Sequence, residues 1–300
     1  SPSPTPRSWS PPPPADVDEQ AVRAWWDRAA RDLPWRHTRD PWAVLVSEVM
    51  LQQTQVERVV PRWHRFLARF PDPPTCASAP AGDVIDEWSG LGYNRRALAL
   101  HRAATQVTER HQGRLPSDLG DLLELPGVGA YTARAVLAFA FEADHGVLDT
   151  NVARVVARRA GRSLGRAEAQ AVVDDAVPAG GAWWWNQAMI DLGARVCVAR
   201  SPRCGECPVR TGCAWRGGED GSVDPAIGSA SVSGRQSRFE GSDRQGRGRL
   251  VAALREGEVA RGDVARTMGW PDDPGRAEAV LDGLVRDGLV VAGDAGVRLP

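Results

Sequence analysis

Residues 118–149 read DLGDLLELPGVGAYTARAVLAFAFEADHGVLD. Two helical patterns, over 118–124 and 130–142, meet at LPGVG, residues 125–129. Ser117 stands where a helix cap belongs, and Pro126 with Gly127 supplies the stop. Gly127 and Gly129 in so short a turn let backbone N–H groups face outward at the start of the second helix. That geometry binds a phosphate, here one of a DNA backbone, with no side chain needed. A plain helix–turn–helix connection fits the same letters, and this stretch alone leaves both readings open. Asp149 and Thr150 then sit where the next helix, 150–160, should be capped, ahead of Val152, Val155 and Val156. A helix N-terminus also stabilises an ionised carboxylate. Capping and facing a developing cation are compatible roles for Asp149.

Upstream, residues 40–59 read DPWAVLVSEVMLQQTQVERV, with a helix expected over 42–55. Val44, Leu45, Val49 and Val56 suit a core, and Glu48, Gln52 and Gln55 fall on one stripe at i, i+4 and i+7. An acid set in VLVSEVML has its pKa pushed up if buried, and a carboxylic acid so tuned donates a proton near neutral pH. A solvated or salt-bridged Glu is the bland alternative.

Further helices are expected over 18–31, 57–69, 82–89, 94–111, 166–176 and 182–194, with no clear alternating strand in this region. The prolines and serines of residues 1–15 cannot form a core and predict a disordered tail. Gly, Ser and Asp over 217–244 predict a linker. Helical patterns near 247–255, 261–268 and 275–287 precede Leu289–Val291 and Val297–Leu299, which flank AGDAG as a hairpin would. Residues 245–300 therefore suggest a small winged-helix-like module.

Of five cysteines, Cys197, Cys204, Cys207 and Cys213 are spaced C-x6-C-x2-C-x5-C, and Cys76 stands alone, expected as an inert, partly buried side chain. Four clustered thiolates suit zinc or an iron–sulfur cluster, and spacing does not choose between them. A disulfide pair is disfavoured by the tight C-x2-C and the lack of an export signal. Arg200 and Arg203 lie between the first two ligands, where a basic loop could meet phosphate.

All 37 basic residues are arginine, which excludes a P-loop lysine and a lysine Schiff base. The net charge is −1, yet residues 20–216 hold 25 arginines against 21 acids, while 217–300 hold 11 against 14. A mildly basic middle points weakly to a polyanion, and salt-paired surface arginines give the same tally. No apolar run is long enough to span a membrane.

Taken in order, PWRHTRDPWAVLVSEVMLQQTQV, WSGLGYNRRALALHRAA, LPGVGAYTA, VLDTNVARV and NQAMIDLGARVC with its cysteine set resemble the adenine DNA glycosylases of the MutY type. These belong to the helix–hairpin–helix glycosylase superfamily, and the resemblance covers about residues 18–216. It implies an all-α fold: a six-helix barrel over 41–150, and a cluster domain from 15–40 plus 151–216, with the DNA groove between them. It selects a [4Fe–4S] cluster on the four cysteines. It implies a double-stranded DNA substrate with adenine opposite 8-oxoguanine or guanine, acted on by a monomer in the bacterial cytoplasm at the nucleoid, away from any membrane.

Carried over by motif, Glu48 would protonate the adenine at N7 and then handle the attacking water. Asp149 would stabilise the oxocarbenium-like sugar, the two-carboxylate logic of glycoside hydrolysis. Gln53 and Tyr93 match residues inserting into the base stack, with Thr54 and Leu91 beside them. Trp35, Arg36, Tyr131, Asn151 and Gln187 match positions around the adenine pocket. Lyase-active relatives such as endonuclease III place a lysine at the position of Tyr131, so a monofunctional glycosylase is expected. Two departures stand out: Asn94 replaces a second aromatic in GLGYN, and residues 217–300 hold no Nudix-type motif to read 8-oxoguanine. FEGSDRQGRGR, residues 239–249, could substitute as a lesion contact or serve as a structural linker. The competing readings are a thymine glycosylase for G·T mismatches, an endonuclease III-like enzyme, and a non-catalytic DNA-binding protein.

Overall fold

The computed structural model describes residues 17–219, 221–229 and 238–300. The proline-rich stretch 1–15 lies outside the described residues. In chain order the helices are α1 (Glu19–Ala29), α2 (Pro41–Leu51), α3 (Val56–Arg69), α4 (Pro73–Ser78), α5 (Ala81–Glu87), α6 (Arg95–Arg110), α7 (Leu119–Leu123) and α8 (Ala130–Ala140). They continue as α9 (Thr150–Ala160), α10 (Arg166–Asp175), α11 (Ala182–Arg195), α12 (Asp243–Glu256), α13 (Val264–Met268) and α14 (Pro274–Arg286). Three short strands are β1 (Val259–Ala260), β2 (Val291–Ala292) and β3 (Gly296–Arg298). Among the described residues the fold is all-α apart from this small sheet. Among the described residues no helix is long and apolar enough to cross a membrane.

The chain divides into two compact units, with breaks after Arg31 and Phe141 and again ahead of the C-terminal module. These differ from the expected barrel limits of 41 and 150. In the unit holding Asp32–Phe141, α2 is the central rod. Asp40 caps it by accepting from Trp42 N and Ala43 N, and Pro41 at the first position presets the helical φ. Trp42 through Met50 are all buried, so α2 is apolar on every side, and α8 packs along it. Amphipathic α3 buries only Val59, Trp63 and Phe66.

The same unit contains the C-terminal module. Its helices α12–α14 enclose Leu250, Leu254, Met268, Leu281 and Leu284, and its sheet runs β1-β3-β2, antiparallel throughout. The module thus consists of three helices and a small antiparallel sheet. The module is anchored where Gly82 N donates to Pro300 O at 3.0 Å, and where Arg255 donates to Ile85 O and Ser89 Oγ, each at 3.1 Å.

The other unit packs α1, α9, α10 and α11 around Val22, Trp26, Val152, Val156, Trp185 and Leu192. Its buried acid, Asp191, is satisfied by Arg31 Nε at 2.5 Å and Trp26 Nε1 at 3.3 Å. Helices α9 and α11 approach so closely that a Cβ on Gly193 would fall 2.6 Å from Asn151 O. The stretch expected as a linker is not free of structure: Asp224 forms an ion pair with buried Arg158, and Ser163 Oγ donates to Pro225 O and Ile227 O.

One sequence expectation about α2 fails. The helix ends at Leu51, Gln52 leaves helical geometry with ψ 111°, and Gln55 is the N-cap of α3. Gln52 and Gln55 therefore do not extend the Glu48 stripe. Two elements were also not expected, α4 and β1. Pro73 and Pro74 open α4 under an Asp72 cap, a place where proline starts a helix instead of breaking one.

Candidate functional site

In the hairpin, Gly127 has φ +78°, and a Cβ there would sit 2.7 Å from Ala99 Cβ. Glycine is required on both counts. Gly129 is extended, has open space around it, and is the N-cap of α8 with no side chain capping the helix. First-turn N–H groups lack intrahelical partners, so this end is open to a phosphate. Tyr131 follows in the first turn, half-buried. Next to it, Thr132 Oγ1 accepts from Gln52 Nε2 at 3.3 Å, tying α8 to the end of α2.

Glu48 lies on α2 and is 4% exposed, between Val44, Leu45, Val49 and Met50 on its own helix. Its carboxyl is therefore kept from bulk water, which decides against the solvated alternative.

Gln53 and Tyr93 are both exposed, and both hold positive φ, +55° and +49°. Non-glycine residues pay for that conformation, and it persists only where surroundings enforce it. Arg96 is the enforcing group. Its Nη1 donates to Val49 O, Met50 O and Gln52 O at 2.8, 3.0 and 2.6 Å. Its Nη2 donates to Thr54 Oγ1, Leu91 O and Gly92 O at 3.0, 3.3 and 3.1 Å. One guanidinium thus closes the end of α2 and clamps the 52–54 turn to the 91–93 turn. Burial pulls its pKa down to about 10, still charged near neutrality. Leu91 is buried and offers the site only its carbonyl. Trp35 is likewise a core side chain, edge-on to Trp63 at 6.1 Å, while neighbouring Arg36 is half-buried. Asn94 opens α6 with no side-chain capping bond.

The remaining candidates lie in the other unit. Asp149 caps α9, accepting from Val152 N at 2.7 Å and Asn151 Nδ2 at 2.8 Å. Desolvation of this carboxyl pushes its pKa above the ordinary value, against those two hydrogen bonds and the charge of Arg154. The helix N-terminus thus offsets only part of the cost of burial, contrary to the expectation of a simply stabilised carboxylate. Arg154 Nη2 donates to Asn151 Oδ1 at 2.9 Å, and its Nε to Cys197 O at 2.6 Å. Gln187 on α11 is buried; its Nε2 donates to Trp183 O, and its Oε1 has no hydrogen-bond partner among the described residues.

Cys197, Cys204, Cys207 and Cys213 line one cavity with Arg158, Arg159 and Trp215. Four cysteine sulfurs around one cavity are the donor set that an iron–sulfur cluster takes. Arg158 Nη1 donates to Cys197 Sγ at 3.3 Å and to Val198 O at 2.8 Å. Arg200 and Arg203 are exposed. Cys76 is fully buried, and burial pushes its thiol up to about 12, so it is the inert thiol expected. Arg96, Arg154, Arg158 and Asp224 went unnoticed in the sequence. Only the paired arginines after GLGYN and in VARR gave any signal.

Comparison with known proteins gives a consistent set. Residues 46–173 match the HhH-GPD superfamily base excision DNA repair protein family, and 197–213 match the iron–sulfur binding domain of endonuclease III. An adenine DNA glycosylase of Mycolicibacterium smegmatis is 41% identical over 275 residues, covering 89% of this chain and 90% of the relative. One from Mycobacterium tuberculosis is 40% identical over 290 residues, covering 92% and 91%. Both alignments are too long to end at residue 216. Among solved structures, a thermostable thymine-DNA glycosylase superposes with a TM-score of 0.63 at 29% identity, covering 66% of this chain and 94% of its own.

Proposed function

This chain belongs to the adenine DNA glycosylases of the HhH-GPD superfamily, and we propose that it hydrolyses the N-glycosidic bond of adenine mispaired with 8-oxoguanine or guanine. Its cofactor is an iron–sulfur cluster on Cys197, Cys204, Cys207 and Cys213, which holds the 197–213 loop in shape. Its DNA is double-stranded, and the protein acts as a monomer in the bacterial cytoplasm.

The reacting bond is inaccessible inside the stack, so the adenine is rotated out of the duplex. Glu48 gives its proton to N7, the C1′–N9 bond breaks, and the electron pair leaves with the base. Asp149, ionised, faces the positive sugar at C1′. Glu48 then takes a proton from the water that adds there, leaving an abasic site. Tyr131 and Asn151 shape the pocket, and Gln187 Oε1 accepts from the adenine amino group. Trp35 and Arg36 support the pocket wall. Gln53 and Tyr93 enter the stack from turns set by Thr54 and Leu91, and the Gly127–Gly129 turn meets the backbone.

The observation that carries this reading is the contrast between the two acids. Glu48 is enclosed in an apolar helix, while Asp149, whose pKa burial raises, is given two hydrogen bonds that work against that rise and favour its charged form. One suits a proton donor and the other an anion. With no lysine in the chain, no Schiff base forms, and the strand is left intact.

The test is base release from three duplexes, A opposite 8-oxoguanine, A opposite G and T opposite G, each with and without alkali. Alkali-dependent cleavage of the adenine strands alone is expected. Cleavage of the thymine strand would move the protein to the activity named for its structural neighbour. Cleavage without alkali would contradict the monofunctional reading.

A further inference from the structure

The C-terminal module reaches the candidate site at one point. Arg244, in the first turn of α12, donates from Nη1 to the hydroxyl of Tyr93 at 3.0 Å. The guanidinium also lies 5.8 Å from the ring of Phe239, which is 58% exposed. Tyr93 is itself 43% exposed, and the guanidinium of Arg96 lies 5.6 Å from its ring. A strained, exposed aromatic is thus braced by one arginine from the helix that follows it and by a second from a different part of the chain. The brace has a fixed base, because Ser242 caps α12 by accepting from Gln245 N and the module is pinned through Arg255 and Pro300.

The module is poorly suited to hold DNA by itself. Residues 217–300 carry more acids than arginines, and a nucleic-acid module shows the opposite balance. On α14, the helix a winged-helix protein would offer to a groove, Arg276 is engaged by Asp243 at 2.7 Å, by Gly241 O at 2.8 Å and by the Trp270 ring at 4.0 Å.

We propose that Arg244 is a positioning residue for Tyr93, so that the C-terminal module takes part in opening the duplex by holding that tyrosine. The inference rests on the reading that Tyr93 enters the base stack. A tyrosine fixed at both ring and hydroxyl loses less freedom on insertion than one free to swing, and pre-ordering of this kind strengthens binding without adding a contact.

The experiment measures single-turnover adenine release by the full chain, using Tyr93→Phe, Arg244→Met, the double variant and Tyr93→Ala. Two duplexes are compared: adenine opposite 8-oxoguanine, and adenine opposite an abasic site, where no base remains for the wedge to displace. Tyr93→Phe and Arg244→Met are each expected to slow release from the paired duplex about five-fold, the worth of one exposed hydrogen bond. The double variant should be no slower than either, and the loss should vanish opposite the abasic site. Additive losses, or equal losses on both duplexes, would overturn the proposal, as would an inert Arg244→Met beside a slow Tyr93→Ala. If Tyr93→Ala itself costs nothing, the stack-entry reading of Tyr93 fails first, and this proposal with it.

Discussion

Asn151 donates Nδ2 to Asp149 Oδ2 at 2.8 Å. The bond spans two positions of the chain and favours the charged form of a carboxyl that burial otherwise drives toward neutrality. Asn151 is held in turn by Arg154, which also grips the carbonyl of Cys197. Cys197 and Asp149 are thereby linked through two side chains.

Removing that bond should shift a titration. In Asn151→Ala, Asp149 keeps Val152 N but loses a stabilising donor, so its pKa rises further. With Asp149 acting as an anion, as proposed, the acid limb of the pH–rate profile should move to higher pH. At a pH inside the shifted limb the rate should fall about ten-fold, the worth of roughly 1.4 kcal/mol. An acid limb that stays in place would separate Asn151 from Asp149 ionisation.

Asp149→Asn should trade activity for stability. Asparagine is as good a cap as aspartate and carries no charge to desolvate. The folded pKa of Asp149 is raised, so its neutral form favours folding below the unfolded value near 3.9. That advantage is lost as pH rises through the folded value. The variant should therefore melt higher than the parent at neutral pH. The gain should disappear in acid, with base release abolished throughout. Thermal melts over a pH series check this, and a variant that melts lower at neutrality would mean the carboxylate is a net stabiliser.

The two hairpin glycines should separate by phenotype. Gly127→Ala forces a Cβ to within 2.7 Å of Ala99 at positive φ, costing about 1–2 kcal/mol for the backbone alone. Gly129→Ala meets nothing within 4 Å and is extended, so the melting temperature should hold. If backbone amides meet phosphate there, its added methyl should still weaken DNA binding at every salt concentration. Equal melting losses in both variants would contradict this assignment.

Cluster loading should depend on four cysteines and not on the fifth. Cys207→Ala should lose iron and sulfide, and its 197–213 loop should become protease-sensitive. Cys76→Ala should keep full iron content, since Cys76 is buried in the unit that lacks the cluster. Iron analysis decides it, and iron loss in Cys76→Ala would count against the four-cysteine site.

Much of this molecule was legible because its signals are local. The turn at LPGVG, the cap at Asp149 and the cysteine spacing each depend on a few consecutive residues. What stayed hidden depends on pairing across the chain. The end of α2 is set by Arg96, 45 positions after Leu51, and no periodicity in MLQQTQV announces it. Leu91 and Trp35 sit in motifs that suggested contact with DNA, yet their side chains are core, because a functional loop also needs apolar residues to anchor it. The role of Asp224 was invisible, since a Gly- and Ser-rich stretch gives no sign that one acid pairs with buried Arg158. The same holds for Arg244 and Tyr93, 151 positions apart.

The proposed chemistry turns on Glu48 as the source of the proton that makes adenine a leaving group. Single-turnover adenine release from an A·8-oxoguanine duplex by Glu48→Gln, beside its affinity for that duplex, tests it most directly. Release should fall by at least about 100-fold, as for loss of a general acid, with cluster content and DNA affinity kept. Release at the parent rate, with affinity intact, would contradict it.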